Sequence, residues 1–169
     1  MPAGELFFRR IIVNDGVPTP GNWEDAFVTY GISFTDASLS RLITPAPSKE
    51  VIENKSRLQH GKRIVRNPKY VRTDERSVTL EMHIKAPNKI LFWERYSYFC
   101  KNYLEAGFID IYHRDFINID TGMPYVFRMT YVSCDEFTEF MQQLARFNLT
   151  LNEPDPTNRG TEDKWASET

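Results

Sequence analysis

The sequence contains few residues of the kinds that build metal sites, disulfide frameworks or nucleophilic pairs. It has two cysteines, Cys100 and Cys134, and three histidines, His60, His83 and His113. The cysteines form no CxxC pair and the histidines are far apart, so neither set has the spacing of a zinc site. Two cysteines make no disulfide framework either, and free thiols are expected. We therefore expect no catalytic residue, no metal and no cofactor, which means a protein that is not an enzyme.

Long apolar runs and glycine-rich loops are also missing. No run approaches the roughly 20 apolar residues that cross a bilayer, so we expect no membrane partner. The first residues, MPAGELFFRRIIVND, place an acid before the apolar run and arginines inside it, which is the reverse of a signal peptide. Synthesis in the cytoplasm is expected. The eight glycines are scattered singly and form no phosphate-binding loop. A net charge of −2 argues against non-specific nucleic-acid binding by the whole domain.

Aromatic residues are abundant in this chain. They make up 14% of the residues, including 12 Phe and 8 Tyr, which indicates a bulky core or a large buried contact surface. The length suits one domain with a real core. We expect a single domain over residues 1–152, with an arm at about residues 45–73, and a C-terminal extension over 153–169.

The clearest local pattern runs from Arg76 to Tyr112 and predicts a strand, a long helix and a second strand. The strand alternates between apolar and polar residues from Arg76 onward, and Asn88 is a good helix N-cap. The helix is expected to have about 17 residues and to end at Gly107 in the left-handed cap conformation. Its apolar stripe consists of Phe92, Tyr96, Phe99 and Tyr103, with Trp93, Cys100 and Leu104 beside them.

The segments on either side are predicted to be mostly extended. Together they indicate an α+β fold, an antiparallel sheet or sandwich with one main helix packed on it. Residues 137–143 fit either a helical turn or an edge strand, and Trp165 either docks on a neighbour or is exposed. The remaining expectations are a strand over Leu6–Val13, a turn at Asn14–Gly16, a break through Gly21, a strand within Trp23–Thr35 with its apolar face on the even-numbered residues, a turn over Asp36–Ser40, a short extension over Arg41–Thr44, strands over Pro124–Cys134 and Ala145–Leu151, and an exposed tail from Asn152.

The segment from Pro45 to Thr73 is long, basic and poor in apolar periodicity. It carries eight Lys or Arg residues between Lys49 and Arg72, against two acids. A connection of this length should have a use. It is a protruding hairpin that turns around His60-Gly61, a solvated basic loop, or a nucleic-acid patch. The candidate inter-subunit residues are Lys55, Arg57, Lys62, Arg63, Arg66, Lys69 and Arg72 in this arm, with Trp165 in the C-terminal extension.

One stretch of the chain resembles a known family. The run ARFNLTLNEPDPTNRG, preceded by YVSCDEFTEFMQQL, resembles proteins encoded among the tail genes of Bacteroidetes phages and prophages. The run HGKRIVRNPKYVRTDERSVTLEMHIKA, the helix that ends at Gly107 and the strand FIDIY are similar to the core of siphophage tail-tube and distal-tail proteins. The resemblance covers Gly61 to Pro156.

The resemblance implies a virion structural protein with two packed sheets flanked by a helix. Such proteins form rings, here expected to have six subunits, which conduct DNA as passing cargo and contact other tail proteins, including the tape measure. Localisation in the virion tail follows. The residues alone leave two other functions open. One is a small binding module whose basic arm contacts nucleic acid or an acidic protein, and the other is an enzyme with a pocket around Glu81, His83 or His113.

Overall fold

The computed structural model describes residues 3–49, 52–54, 60, 63–65, 72–105, 107–157 and 159. Ten strands and three helices lie in this part of the chain, and the third helix ends in a π-helical turn over Cys100–Leu104. In chain order the elements are β1 (Leu6–Asn14), β2 (Val17–Pro20), β3 (Glu24–Asp25), α1 (Ala26–Tyr30), β4 (Ile32–Phe34), α2 (Asp36–Leu42), β5 (Ile52–Asn54), β6 (Arg63–Val65), β7 (Arg76–Lys85), α3 (Lys89–Phe99), β8 (Phe108–His113), β9 (Phe127–Met141) and β10 (Leu144–Glu153).

Eight of these strands form one antiparallel sheet. Its order is β2-β1-β8-β9-β10-β7-β4, with β3 paired to β1. The longest strand, β9, pairs with β8 over Phe127–Met129 and with β10 from Thr130 to Met141. Register shifts interrupt the β9–β10 ladder at three places, which is the signature of β-bulges that bend and twist a strand.

The sheet folds over so that its two ends share one core. Phe8 on β1 and Phe34 on β4 belong to opposite ends of the strand order, yet their ring centroids are 6.0 Å apart. Strand β7 shows the alternation expected from its sequence, because Val78, Leu80 and Met82 are buried while the residues between them are more exposed. The fold is therefore a sandwich-like antiparallel α+β structure, and this confirms the predicted class.

Helix α3 closes one side of this core. The side chain of Asn88 accepts a hydrogen bond from the N–H of Leu91, which confirms the predicted N-cap. Phe99 contacts Phe8 on β1 and Phe147 on β10, with ring centroids 6.4 Å and 6.3 Å apart. The helix therefore crosses from one half of the folded sheet to the other.

The predictions for residues 17–44 were largely wrong. The expected break contains β2, which pairs with β1 around a turn in which Asp15 and Gly16 have positive φ. The strand expected within Trp23–Thr35 is instead the short β3, helix α1 and β4. Asp25 caps α1 by accepting from the N–H groups of residues 27 and 28, and Gly31 ends it at φ 65°. The expected turn and extension after it form helix α2, whose N-cap is Thr35.

Two further predictions, at Gly107 and at the C-terminal end, need correction. Gly107 is not in the left-handed region. It packs closely against β1, where an added Cβ would lie 3.3 Å from the carbonyl oxygen of Ile11. The expected exposed tail from Asn152 is wrong at its start, because β10 continues to Glu153 and that side chain is buried. Residues 137–141 form part of β9, which selects the strand alternative for them.

The basic arm has a hairpin backbone in the residues that are described. Strands β5 and β6 pair antiparallel as a two-stranded sheet separate from the main one. At the base, Ser48 pairs with Thr73, and the N–H of Lys49 donates to the carbonyl of Arg72 at 2.8 Å. This pairing agrees with a hairpin backbone for the described residues of the arm. The predicted turn around His60-Gly61 lies mostly outside the described residues, so the three alternatives for the arm stay predictions.

Candidate assembly surface

Strand β2 at one end of the sheet is a poor partner for another strand. It is four residues long and contains Pro18 and Pro20, which have no N–H to donate. Proline on an edge strand is one of the ways in which proteins prevent edge-to-edge association.

The outer edge of β7 is covered by helix α2. The hydroxyl of Ser38 accepts from the N–H of Glu81 at 2.7 Å and donates to the carbonyl of the same residue at 3.0 Å. The guanidinium of Arg41 donates to the carbonyl of Thr79 at 3.1 Å. These bonds satisfy backbone groups that an added strand would need, so this edge is blocked.

Strand β9 differs from both of these edges. In the described part of the chain, strand pairing on the β8 side of β9 stops at Met129, while β10 continues to pair on the other side as far as Met141. The far part of β9 is therefore an open edge. Its apolar side chains are about half exposed, with Phe137 at 49%, Phe140 at 53% and Met141 at 60%. A long edge with exposed apolar residues is a template for pairing with another chain.

An aromatic groove lies beside this open edge, between α3 and the β9–β10 hairpin. It has a volume of about 360 Å³. Trp93 lies 5.9 Å from Phe140 between ring centroids, and Tyr96 lies 6.1 Å from Phe137. Trp93 is 45% exposed. The residues that line the groove are Phe92, Trp93, Tyr96, Phe137, Phe140 and Ala145. The groove offers a surface for an apolar or aromatic group and almost no polar contact.

The start of the arm and the end of β10 are tied together by a buried charge cluster. Arg76 is 4% exposed, and its guanidinium donates to the carboxylate of Glu153 and to the carbonyls of Leu42 and Thr44. Arg159 donates to both carboxylate oxygens of Glu153, at 2.7 Å and 3.2 Å. Burial lowers the pKa of Arg76 from its ordinary value, and the charge of Glu153 acts against that shift. This Arg76 cluster anchors the chain before the arm and at the start of the C-terminal extension.

A second buried carboxylate joins three strands. Asp110 on β8 is fully buried and accepts hydrogen bonds from Arg9 on β1 and Arg128 on β9. The guanidinium of Arg9 also lies 4.4 Å from the ring centroid of Trp23. A buried carboxylate with two guanidinium partners serves the fold, because each charge is paired.

A tyrosine pair shares one carboxylate under helix α1. The hydroxyls of Tyr30 and Tyr103 both donate to Glu24, at 2.5 Å and 2.9 Å. Burial, with the hydrogen bond to Glu24, raises the pKa of Tyr30 to about 12. Burial also raises the pKa of Tyr103 well above its ordinary value. Both phenols are held neutral, and they connect α1 to the end of α3.

Of the residues considered for an enzyme site, Glu81 and His83 lie two residues apart on β7, whereas His113 lies apart from them. His83 lies on β7 and His113 on β8, and two strands, β9 and β10, separate these in the sheet order. Burial lowers the pKa of His83, which favours the neutral imidazole. His113 is buried, and its Nδ1 accepts from the N–H of Asp115 at 3.2 Å. Within the described residues, no three His, Cys, Asp or Glu side chains form a group that could hold a metal ion.

The structure describes only two of the predicted inter-subunit residues. Arg72 is exposed at the arm base, and the backbone of Arg63 lies in β6. The other predicted residues, Lys55, Arg57, Lys62, Arg66, Lys69 and Trp165, lie outside the described residues. The open edge of β9 and the aromatic groove were not predicted as a site. The sequence signal for both was the group of apolar residues within 137–141, for which no contact surface was predicted.

The helices that the structure describes are all too short or too polar to cross a membrane. No protein-family model and no curated protein matches this sequence. Among solved structures, one similar chain comes from "Structure of the phage p2 baseplate in its activated conformation with Sr". The two chains are 7% identical with a TM-score of 0.43, and the match covers 92% of this chain and 46% of the other. This chain thus spans less than half the length of that baseplate chain.

Proposed function

We propose that this chain is a non-enzymatic structural subunit of a phage tail, of the tail-tube or distal-tail kind, that joins copies of itself into rings. The observation that carries the proposal is the open edge of β9, in a sheet where prolines interrupt the terminal strand β2 and helix α2 covers the part of β7 that β4 does not pair. The resemblance of residues 61–156 to tail-tube and distal-tail proteins supplies the kind of assembly. It also supplies the expected ring of six subunits, the contacts with other tail proteins, including the tape measure, and the passage of DNA.

The open edge would supply both hydrogen bonds and apolar area to a contact between copies. Val132, Phe137, Phe140 and Met141 are each about half exposed. Burying the remaining half of such side chains contributes about 1 kcal/mol each, or about 4 kcal/mol together. Association itself costs about 4 kcal/mol or more. Apolar burial at the edge therefore only balances that cost, and backbone hydrogen bonds and ring closure must supply the net stability.

This balance predicts assembly that depends on protein concentration. Light scattering over a concentration series, with negative-stain microscopy of the same samples, measures it directly. We expect larger species and rings as the concentration rises. A compact monomer that persists at high concentration, with no rings or tubes, would refute the proposal.

Variants on two strands show whether the β9 edge is the contact. Val132→Lys combined with Thr138→Lys adds two charges to exposed positions of β9, and charge on an edge strand discourages pairing. We expect this variant to remain monomeric while keeping its unfolding midpoint. Val17→Lys combined with Thr19→Lys places the same two charges on exposed positions of the proline-blocked strand β2, and should assemble like the unchanged protein. Equal loss of assembly in both variants would show that net charge, and not the β9 edge, controls association.

A further inference from the structure

The sequence after Arg159 supplies a candidate occupant for the aromatic groove. The groove is bounded by Ala145 at the start of β10, and the described residues end at Arg159, beside the other end of that strand. Beyond Arg159 the sequence reads GTEDKWASET, in which Trp165 is the only large apolar residue. A groove lined by Trp93, Phe137 and Phe140 offers edge and face contacts that suit another aromatic ring.

The distance along β10 argues against docking within one chain. From Ala145 to Glu153 is eight residues of strand, or about 26 Å at 3.3 Å per residue. Arg159 is held at the Glu153 end, because its guanidinium bonds that carboxylate and lies 4.9 Å from the centroid of the Phe127 ring. The six residues from Arg159 to Trp165 span at most about 21 Å when fully extended. Because about 21 Å is less than about 26 Å, the backbone of the chain's own segment falls short of the Ala145 end, and only the length of the side chains could close the gap. The segment of a second copy meets no such restriction.

Charges of both signs lie near the groove, because Glu136 and Glu139 adjoin Phe137 and Phe140 on β9 and a lysine lies on the α3 side. Lys89 is exposed and lies one helical turn before Trp93 on α3, so the two side chains share a face. Glu162 and Asp163 lie three and two residues before Trp165. An acidic approach to the groove would pass this lysine.

We infer that residues 160–169 of one copy bind the aromatic groove of a second copy, with the ring of Trp165 against Trp93 and Phe140. The inference rests on the self-association in the proposed function and adds a specific contact to it. It makes the C-terminal extension a connector between subunits, separate from the pairing of strand edges at β9.

A peptide-binding measurement tests the contact itself. A labelled peptide of residues 158–169 is titrated with the full chain carrying Trp165→Ala, which leaves the groove without its own ligand, and fluorescence anisotropy is recorded. We expect saturable binding that weakens at least about tenfold, the equivalent of about 1.4 kcal/mol, when Trp93→Glu is added to the protein or when the tryptophan of the peptide is replaced by Ala. Tyr98→Ala is the matched control, because Tyr98 is an exposed aromatic residue on the same helix outside the groove. Absence of binding, or binding that ignores Trp93→Glu, overturns the inference.

A mixing experiment decides whether the contact forms between copies. The Trp165→Ala chain keeps an intact groove, and the Trp93→Glu chain keeps an intact connector. Both chains also carry Val132→Lys and Thr138→Lys, so that pairing at the β9 edge does not contribute. If the contact is between copies, the mixture contains heterodimers by light scattering that neither variant forms alone. If the peptide binds but the mixture does not associate, the occupant is the chain's own segment and the inference between copies is wrong.

The outcomes also separate this inference from the proposed function. If Trp165→Ala forms rings as readily as the unchanged chain and its groove does not bind the peptide, the inference fails and the proposed function stands. If the peptide and mixing experiments succeed but the unchanged chain forms no rings at any concentration, the proposed function fails and the inference stands.

Discussion

The buried ion pair between Arg76 and Glu153 is expected to be among the strongest side-chain couplings in this protein. The two side chains are 4% and 1% exposed, and 77 residues separate them in the sequence. Replacing Glu153 by Leu leaves the buried guanidinium of Arg76 without its carboxylate. Loss of one partner of a buried pair costs about 3–5 kcal/mol of unfolding free energy. We expect Glu153→Leu to fall in that range.

Replacing Arg76 should cost less, because Arg159 still pairs with Glu153. The change leaves the buried carbonyl of Leu42 and the part-buried carbonyl of Thr44 without this donor. An unsatisfied buried group costs about 1–3 kcal/mol, and a part-buried one costs less because water can reach it. We expect Arg76→Met to lose about 2–4 kcal/mol. The double variant should be more stable than the sum of the single losses predicts, with a coupling energy of about 1–3 kcal/mol.

Urea unfolding followed by circular dichroism, at a concentration where the protein is monomeric, measures all four stabilities of this cycle. The pair between Arg114 and Glu5 is the matched control. Its nitrogen–oxygen distance is 3.1 Å and Arg114 is 54% exposed, so its coupling should stay below about 1 kcal/mol. Additive losses at Arg76 and Glu153, or a coupling no larger than that of the surface pair, would show that this charge cluster does not hold the structure as described.

Three further outcomes are expected from single positions. Gly31→Ala should destabilise the protein strongly, because φ at Gly31 is 65° and the added Cβ would collide with the carbonyl oxygen of Lys85. Gly122 has a similar φ of 70° but open space around it, so Gly122→Ala should lower the unfolding free energy clearly less in the same urea assay. Asn88→Ala should cost about 0.5–2 kcal/mol through loss of the α3 cap, and a cost near zero would contradict the capping hydrogen bond. Because the pKa of Tyr30 is raised to about 12 in the fold, the neutral phenol contributes stability that is fully present below pH 10 and is lost as the pH rises through about 12. Ultraviolet absorbance should show a tyrosine that ionises together with alkaline unfolding. Ionisation of Tyr30 near pH 10 in the folded protein would refute its buried contact with Glu24.

Local patterns predicted the elements whose period is long and regular. The alternation from Arg76 to Lys85, the aromatic stripe of α3 and its cap at Asn88 all appear in the structure as expected. These elements follow from side-chain period and from a single side chain-to-backbone bond, which depend little on distant residues.

Short elements were predicted less well because their signals compete. Phe27 and Val28 suit a strand by composition, but Asp25 and Gly31 supply a helix start and a helix end with five residues between them. Strand β2 was missed because Pro18 and Pro20 argue against a strand, and an outer edge tolerates them. In α1 the helix caps outweighed the strand propensity of the residues, and in β2 the edge position outweighed the low strand propensity of proline.

The sequence by itself determined the α+β class, the main helix and the central strands, and it marked residues 45–73 as a long basic segment, because these depend on neighbours within a few residues. Only the tertiary structure decided which edge of the sheet is open. Helix α2 covers the part of β7 that β4 does not pair, prolines interrupt the terminal strand β2, and β9 extends past its partner β8. Pairing between strands far apart in the chain is set by register and packing, which no local pattern encodes. The same holds for the groove between α3 and β9, whose walls lie more than forty residues apart in the sequence.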